Sequence, residues 1–85
     1  MNWSEEATEM MKELLRQLPA GVRGSVRDAA EARAEAMAQD EDEDEVSMET
    51  AVLALMREVP EDWRDPLKDA MVYHGLDPED YDSRD

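Results

Sequence analysis

The fold of this chain is decided by the stretch PAGVRGSVR, residues 19–27. Pro19 disfavours helical backbone at the residue before it, so a first helix is predicted to end at Leu18. Gly21 allows the unusual backbone conformation of a short turn, and a second helix is predicted over 21–38. The stretch therefore predicts two helices joined by a tight reversal.

Both helices of this predicted hairpin carry apolar residues at helical spacing. Ser4 is a suitable N-terminal cap for the first helix. Its apolar stripe consists of Trp3, Ala7, Met10, Met11, Leu14, Leu15 and Leu18. The stripe of the second helix contains several alanines, which permit close helix packing, and consists of Val22, Val26, Ala29, Ala30, the aliphatic stem of Arg33, and Met37.

Two more helices are predicted from the signals at their ends. Ser47 is a suitable cap for the third helix, and Pro60 ends it; its inner face is predicted to contain Val52, Leu55, Met56 and Val59. Asp65 followed by Pro66 predicts the start of a fourth helix, and Gly75 predicts its left-handed C-terminal cap.

These elements predict an all-α fold, a small bundle of three main helices plus a short C-terminal helix. No alternating pattern typical of a β-strand is present in the sequence. We expect one helical domain over residues 1–76, with an exposed acidic loop over 39–46 and a polar tail over 77–85. The first two helices are predicted to form an antiparallel hairpin, with the third packed across it.

Composition limits the functions that are expected. The 85 residues contain no cysteine, which removes disulfides, thiolate catalysis and cysteine-ligated metal centres. The net charge of −15 is uneven, with −1 up to Ala34 and −14 after it. Such a surface repels nucleic acids and anionic membranes. No signal peptide or long apolar run is seen, so a cytoplasmic protein is expected.

The acidity has alternative interpretations. Residues 40–45 are six consecutive acidic residues, and such a run is expected to be a solvated loop that resists ordered structure. Binding of a hard cation there, or mimicry of DNA by the acidic surface, is a weaker alternative. An acidic surface also suits a salty cytoplasm, which would make this chain a stand-alone structural domain or a homodimer.

Four side chains are candidates for binding a protein partner: Trp3, Arg16, Arg23 and Arg27. Arg23 and Arg27 each follow a valine and lie one turn apart on one helical face, while Arg16 is expected to approach across the turn. Arginine forks suit carboxylates on a partner. The alternative is a solvated arginine row with local ion pairs and a tryptophan at the edge of the core. No catalytic, cofactor-binding or metal-binding residue is predicted, since the single histidine, His74, has no partner at catalytic or metal-ligand spacing.

A wider pattern extends from the hairpin to the third helix. It consists of Trp3, Ala7, Leu14, Leu18, Pro19, Val22-Arg23, Val26-Arg27, Glu31, Ala34, Ser47 and Glu49. Over positions 1–57 it resembles the small C-terminal domain of the B subunit of the light-independent protochlorophyllide reductase. The chain departs from that family's pattern at Ala20-Gly21 and in the acidic loop.

The resemblance implies a helical interaction module that docks on a redox or tetrapyrrole-related complex. It does not imply catalysis by this chain, because the cluster and the pigment pocket of the complete enzyme belong to much larger domains. We therefore expect a non-catalytic protein without a cofactor, with an unidentified protein partner. A contribution to a pigment pocket in such a complex is a further alternative.

Overall fold

The computed structural model describes residues 2–82, which are mostly helical, and the predicted all-α class is confirmed. Five α-helices lie in this range: α1 (Glu5–Leu15), α2 (Ala20–Asp40), α3 (Met48–Glu58), α4 (Arg64–Tyr73) and α5 (Pro78–Asp82). A 3₁₀ turn, Glu61–Trp63, precedes α4, and two short strands, β1 (Asn2–Trp3) and β2 (Glu45–Val46), complete the fold.

Helix α3 is the centre of the molecule. Every residue from Thr50 to Met56 is buried, so this helix is enclosed on nearly all sides. Helices α1 and α2 both pack mainly on α3 and much less on each other, and α5 also contacts α3. The sequence predicted one inner face for this helix, with Leu53 at its edge and Ala51 against Val46, but Ala54 is buried as well.

Helix α2 contacts the core through small side chains. Its buried residues recur at every fourth position: Val26, Ala30, Ala34 and Ala38. Alanine carries no bulk beyond Cβ, so α2 and α3 are able to pack closely along this line. The predicted stripe included Val26 and Ala30 but missed Ala34 and Ala38, which are both fully buried.

A short parallel β-pair joins the start of the chain to the start of α3. Asn2 pairs with Glu45 and Trp3 with Val46, and the amide of Ser4 donates to the carbonyl of Val46 at 3.0 Å. The expectation that no strand would occur was wrong at these positions. Two-residue strands have no periodic pattern that could reveal them in a sequence.

The acidic segment is exposed, as expected, but it is ordered. The amide of Glu43 donates to the carbonyl of Ala38 at 2.9 Å, and that of Asp42 donates to Gln39 at 3.1 Å. This is the Schellman pattern that ends a helix. It requires a left-handed residue, and Asp42 adopts φ = 57°, a conformation that aspartate tolerates better than most residues. The expected loop over 39–46 is therefore shorter, because α2 continues to Asp40 and β2 begins at Glu45.

The reversal between α1 and α2 begins earlier than predicted. Helix α1 ends at Leu15 instead of Leu18, and the amides of Gln17 and Leu18 bond three residues back, to Leu14 and Leu15. This tighter final turn buries Leu18 beneath the connection. Pro19 is then the cap residue from which α2 begins.

The predicted helix caps have mixed outcomes. Ser4 and Ser47 cap α1 and α3 with their side chains, as predicted, and Gly75 adopts φ = 83° after α4. Asp65 is not the cap of α4, because the 3₁₀ turn leads directly into a helix that begins at Arg64. Pro66 is tolerated in the first turn, where its missing N–H would have no partner within the helix.

Part of the predicted polar tail is folded. Residues assigned to a polar tail from position 77 include α5, and Tyr81 packs, half-buried, against the core. Leu76 packs there too, and its amide donates to the carbonyl of Met71 at 2.8 Å. The last part of the predicted tail, positions 83–85, lies outside the described residues.

Candidate functional site

An open groove of about 540 Å³ runs between α1 and α2. It exists because both helices are held by α3 more than by each other. Its lining comprises Trp3, Thr8, Met11, Lys12, Leu15, Arg16, Arg23, Arg27 and Glu31.

The floor of the groove is apolar and belongs to the core. Met11 and Leu15 are buried within the main cluster of core side chains, one helical turn apart. Trp3 is half-buried against the same cluster. Because these side chains are fixed by core packing, the floor is already formed before any ligand arrives.

Trp3 also joins the two sides of the groove at one end. Its indole Nε1–H donates to the carboxylate of Glu35 in α2, with a nitrogen–oxygen distance of 3.1 Å. The β-pair with Val46 holds the backbone of Trp3 from the other direction. The ring is therefore held by both main-chain and side-chain contacts.

Two pairs of basic residues flank the floor. Lys12 in α1 and Arg16, the C-terminal cap residue of α1, lie four positions apart, and Arg23 and Arg27 lie one turn apart on α2. The groove thus collects four of the nine basic residues of a chain whose net charge is −15. Glu31 also lines the groove, so the lining contains four basic residues and one acidic residue, a local basic excess on an acidic protein.

Arg23 has a structural role that the sequence did not reveal. Its Nε–H donates to the carbonyl of Leu15 at 3.1 Å, and Nη2 donates to the carbonyl of Leu18 at 2.9 Å. These carbonyls lie at the end of α1 and in the following turn, beyond the regular i+4 hydrogen bonds of the helix, and that of Leu15 also accepts from the amide of Leu18. Arg23 therefore caps α1 from the neighbouring helix and is held at the edge of the groove.

Among the residues that the structure describes, the contacts of Arg16 and Arg27 are ion pairs at the surface. Arg16 contacts Glu13 at 3.2 Å, and Arg27 contacts Asp28 at 3.5 Å and Glu31 at 3.7 Å. Exposed pairs of this kind contribute little to stability, about 0–1 kcal/mol. Both guanidinium groups can therefore exchange these carboxylates for those of a ligand at small cost.

All four side chains that the sequence suggested for partner binding line this one groove: Trp3, Arg16, Arg23 and Arg27. Sequence reasoning missed Lys12 as a member of the site. Its position four residues before Arg16, on the same face of the first helix, was the available signal. The sequence prediction also assigned Met11 and Leu15 to the core, but it did not identify them as the floor of the groove.

A second, smaller concavity of about 440 Å³ lies between the end of α1 and the end of α4. It contains Tyr73, which is 85% exposed, and His74, whose ring meets that of Tyr73 edge-on at 5.2 Å between centroids. The backbone N–H of His74 donates to carbonyls at the end of α4. Trp63 is half-buried against the main cluster of core side chains.

Within residues 2–82, no group of three or more acidic, histidine or cysteine side chains is arranged to hold a metal ion. Two groups in this part of the chain have shifted pKa values. The pKa of Glu43 is raised by loss of hydration in the turn and then by the hydrogen bond and charge of Glu41. Partial burial, then the charge of Asp80, raises the pKa of Tyr81. Neither group lines the groove.

No protein-family model, curated protein or solved structure matches this chain. Among the helices that the structure describes, none combines the length and the apolar character that crossing a membrane requires. The groove is therefore interpreted from its own geometry.

Proposed function

We propose that this protein is a non-catalytic helical interaction module that binds a protein partner in the groove between α1 and α2. The observation that carries this proposal is the apolar floor of Met11 and Leu15, flanked on both sides by pairs of basic residues. Tryptophan, methionine and arginine are enriched in protein–protein interfaces. Trp3 and the arginines are of the types that dominate binding energy.

The sequence resemblance supports a specific class of target. Most residues of the reductase-like pattern fall into two structural groups, with Pro19, Ser47 and Glu49 in neither. One is in the core, including Ala7, Leu14 and Ala34, and the other lines the groove, including Trp3 and Arg27. The proposed target is a redox or tetrapyrrole-related complex, and a cytoplasmic location is part of the same proposal.

Site-specific photo-crosslinking tests whether the groove is the binding surface. A photoreactive amino acid would replace Thr8, which is exposed on the groove wall, and in a matched protein Ala36, which is exposed on α2 outside the groove. In the native host, the Thr8 protein should capture a discrete partner that the Ala36 protein does not. Equal capture from both positions, or none from Thr8, would contradict the proposal.

A second candidate function follows from the charge of the whole chain. With a net charge of −15 on 85 residues, self-repulsion opposes folding at low ionic strength. A salt-adapted structural domain or homodimer would have this property without using the groove. Sedimentation at low and high salt tests the homodimer, which should appear as salt rises, whereas a partner-binding module should stay monomeric.

A further inference from the structure

We propose that the occupant of the groove is an amphipathic helix of the partner protein, with carboxylates on both sides of its apolar stripe. This inference rests on the proposed function and adds the chemistry of the partner. The groove lies between two helices that run in opposite directions, with Arg23 near the end of α1 and Glu35 near its start. A third helix laid along them would complete a bundle-like arrangement.

The length and the floor of the groove suit about two turns of helix. Along α1 the lining extends from Thr8 to Arg16, about 12 Å at 1.5 Å per residue. Met11 and Leu15 provide an apolar strip along that length. A partner helix would place apolar side chains on it at positions i, i+3 or i+4, and i+7.

The basic residues of the groove determine which charge the flanks of the partner helix should carry. Lys12 and Arg16 lie on one side of the strip and Arg23 and Arg27 on the other, each pair at four-residue spacing. Carboxylates at i and i+4 on both flanks of a helix match this arrangement. Arg23 retains N–H groups beyond the two that bond to α1, since a guanidinium has five donors.

A second copy of this chain is a poor occupant. A two-fold symmetric dimer would place one groove against the other and bring like charges together. The acidic segment of the chain itself, residues 40–45, has no apolar side chain to cover the floor. Nucleic acid is disfavoured by the net charge of −15. An acidic helix from another protein fits both the floor and the flanks.

An unbiased selection tests this inference. The full chain would be immobilised and used to select from a displayed library of random 18-residue peptides. Enriched sequences should carry apolar residues at helical spacing with an excess of Asp and Glu beside them. The selected peptides should gain helical circular dichroism on binding.

Charge reversal then locates the binding site. Lys12→Glu combined with Arg27→Glu should lower the affinity for the selected peptides at least tenfold. Raising the salt from 50 to 500 mM should also lower the affinity of the wild-type protein for them. Arg57→Glu with Arg64→Glu gives the same net charge at exposed positions outside the groove and should change affinity less than twofold. The neutral pair Lys12→Gln and Arg27→Gln should give an intermediate loss, which provides a test if the reversed protein folds poorly.

The inference would be overturned by a selection without binders, by enrichment without an acidic excess, or by peptides with alternating rather than helical spacing. Equal weakening by the two reversed pairs would also overturn it. These failures are separate from that of the proposed function. A partner crosslinked at Thr8 that binds through a basic or extended segment would leave the groove as the docking surface and refute only the acidic helix.

Discussion

The indole Nε1–H of Trp3 donates to Oε2 of Glu35 at 3.1 Å, between residues that are 32 positions apart in the sequence. The bond fastens the segment before α1 to the middle of the second half of α2. It also fixes the aromatic ring at one end of the groove. Stability and groove geometry therefore depend on the same contact.

Trp3→Phe should lower the free energy of unfolding by about 1 kcal/mol in addition to the loss from the smaller ring, because it removes a partly buried hydrogen bond to a charged acceptor. Urea unfolding followed by circular dichroism measures this effect. A double-mutant cycle with Glu35→Ala isolates the bond. The coupling between the two sites should be about 1 kcal/mol, and purely additive losses would show that the bond contributes nothing.

Arg23 and Arg27 occupy equivalent places in the sequence but should differ in their effect on stability. Arg23→Gln removes the two hydrogen bonds to the carbonyls of Leu15 and Leu18 and should lower stability by about 1–2 kcal/mol. Arg27→Gln removes the exposed ion pairs with Asp28 and Glu31 and should change stability by less than about 0.5 kcal/mol.

Thermal and urea unfolding of the two variants provide the comparison. Arg23→Lys is a useful third protein, since an ammonium group cannot reproduce the geometry of two donors on a planar fork. It should recover only part of the loss. A similar stability for all three variants would refute the capping role of Arg23.

Two glycine-to-alanine substitutions should have opposite effects on the stability of the protein. Gly75 has φ = 83°, where alanine is strained although its Cβ would meet no atom within 4 Å. Gly75→Ala should therefore destabilise the protein by about 1 kcal/mol. Gly24 lies in α2 and has no positive φ, and its added Cβ also meets nothing within 4 Å.

Gly24→Ala should consequently stabilise the protein by about 0.5–1 kcal/mol through higher helix propensity. Differential scanning calorimetry of the two variants and the wild type measures both effects. Melting temperatures that fall for both substitutions would show that Gly24 has a role beyond helix propensity.

The raised pKa of Glu43 predicts the direction in which pH changes the stability of the acidic turn. Loss of hydration, followed by the hydrogen bond and charge of Glu41, raises the pKa of Glu43 above its ordinary value of 4.5. The folded state thus binds this proton more tightly than the unfolded chain does. Its contribution to stability is full below pH 4.5 and is lost as pH rises through the higher folded pKa.

Carboxyl-carbon NMR titration should show the raised pKa of Glu43 in the wild type. In Glu41→Gln the pKa should move part of the way back towards its ordinary value, because one of its causes is removed. Glu45→Gln is the matched control, since Glu45 is not among these causes. It should preserve more of the pKa shift of Glu43 than Glu41→Gln does. An identical Glu43 titration in the wild type and in Glu41→Gln would contradict the assignment.

Local chemistry made much of the fold predictable from sequence. Helices begin after Ser4 and Ser47, and α4 is followed by the left-handed Gly75. Each of these signals depends on interactions within a few residues, so it can be recognised in the sequence. The features that sequence reasoning missed are mostly non-local. The strand pairing of Trp3 with Val46 joins distant positions, and Ala34 carries no signal that separates a buried alanine from an exposed one.

The candidate site was predictable only in part for the same reason. Spacing along the helices placed Arg23 and Arg27 on one face and gathered Trp3 and Arg16 as candidates. The groove depends on α3 holding α1 and α2 apart, which no pattern within the two helices encodes. The capping role of Arg23 depends on the true end of α1 at Leu15, three residues before the predicted one.

The enclosed position of α3 has a consequence for how the molecule is made. Residues 2–47 are synthesised before the helix that α1 and α2 lie against, so the alanine line of α2 and the leucines of α1 have no α3 to pack on until it is made. A nascent chain that stops before Met48 therefore lacks the main packing partner of both helices. The packing of α1 and α2 on α3 can therefore form only after synthesis has passed Glu58.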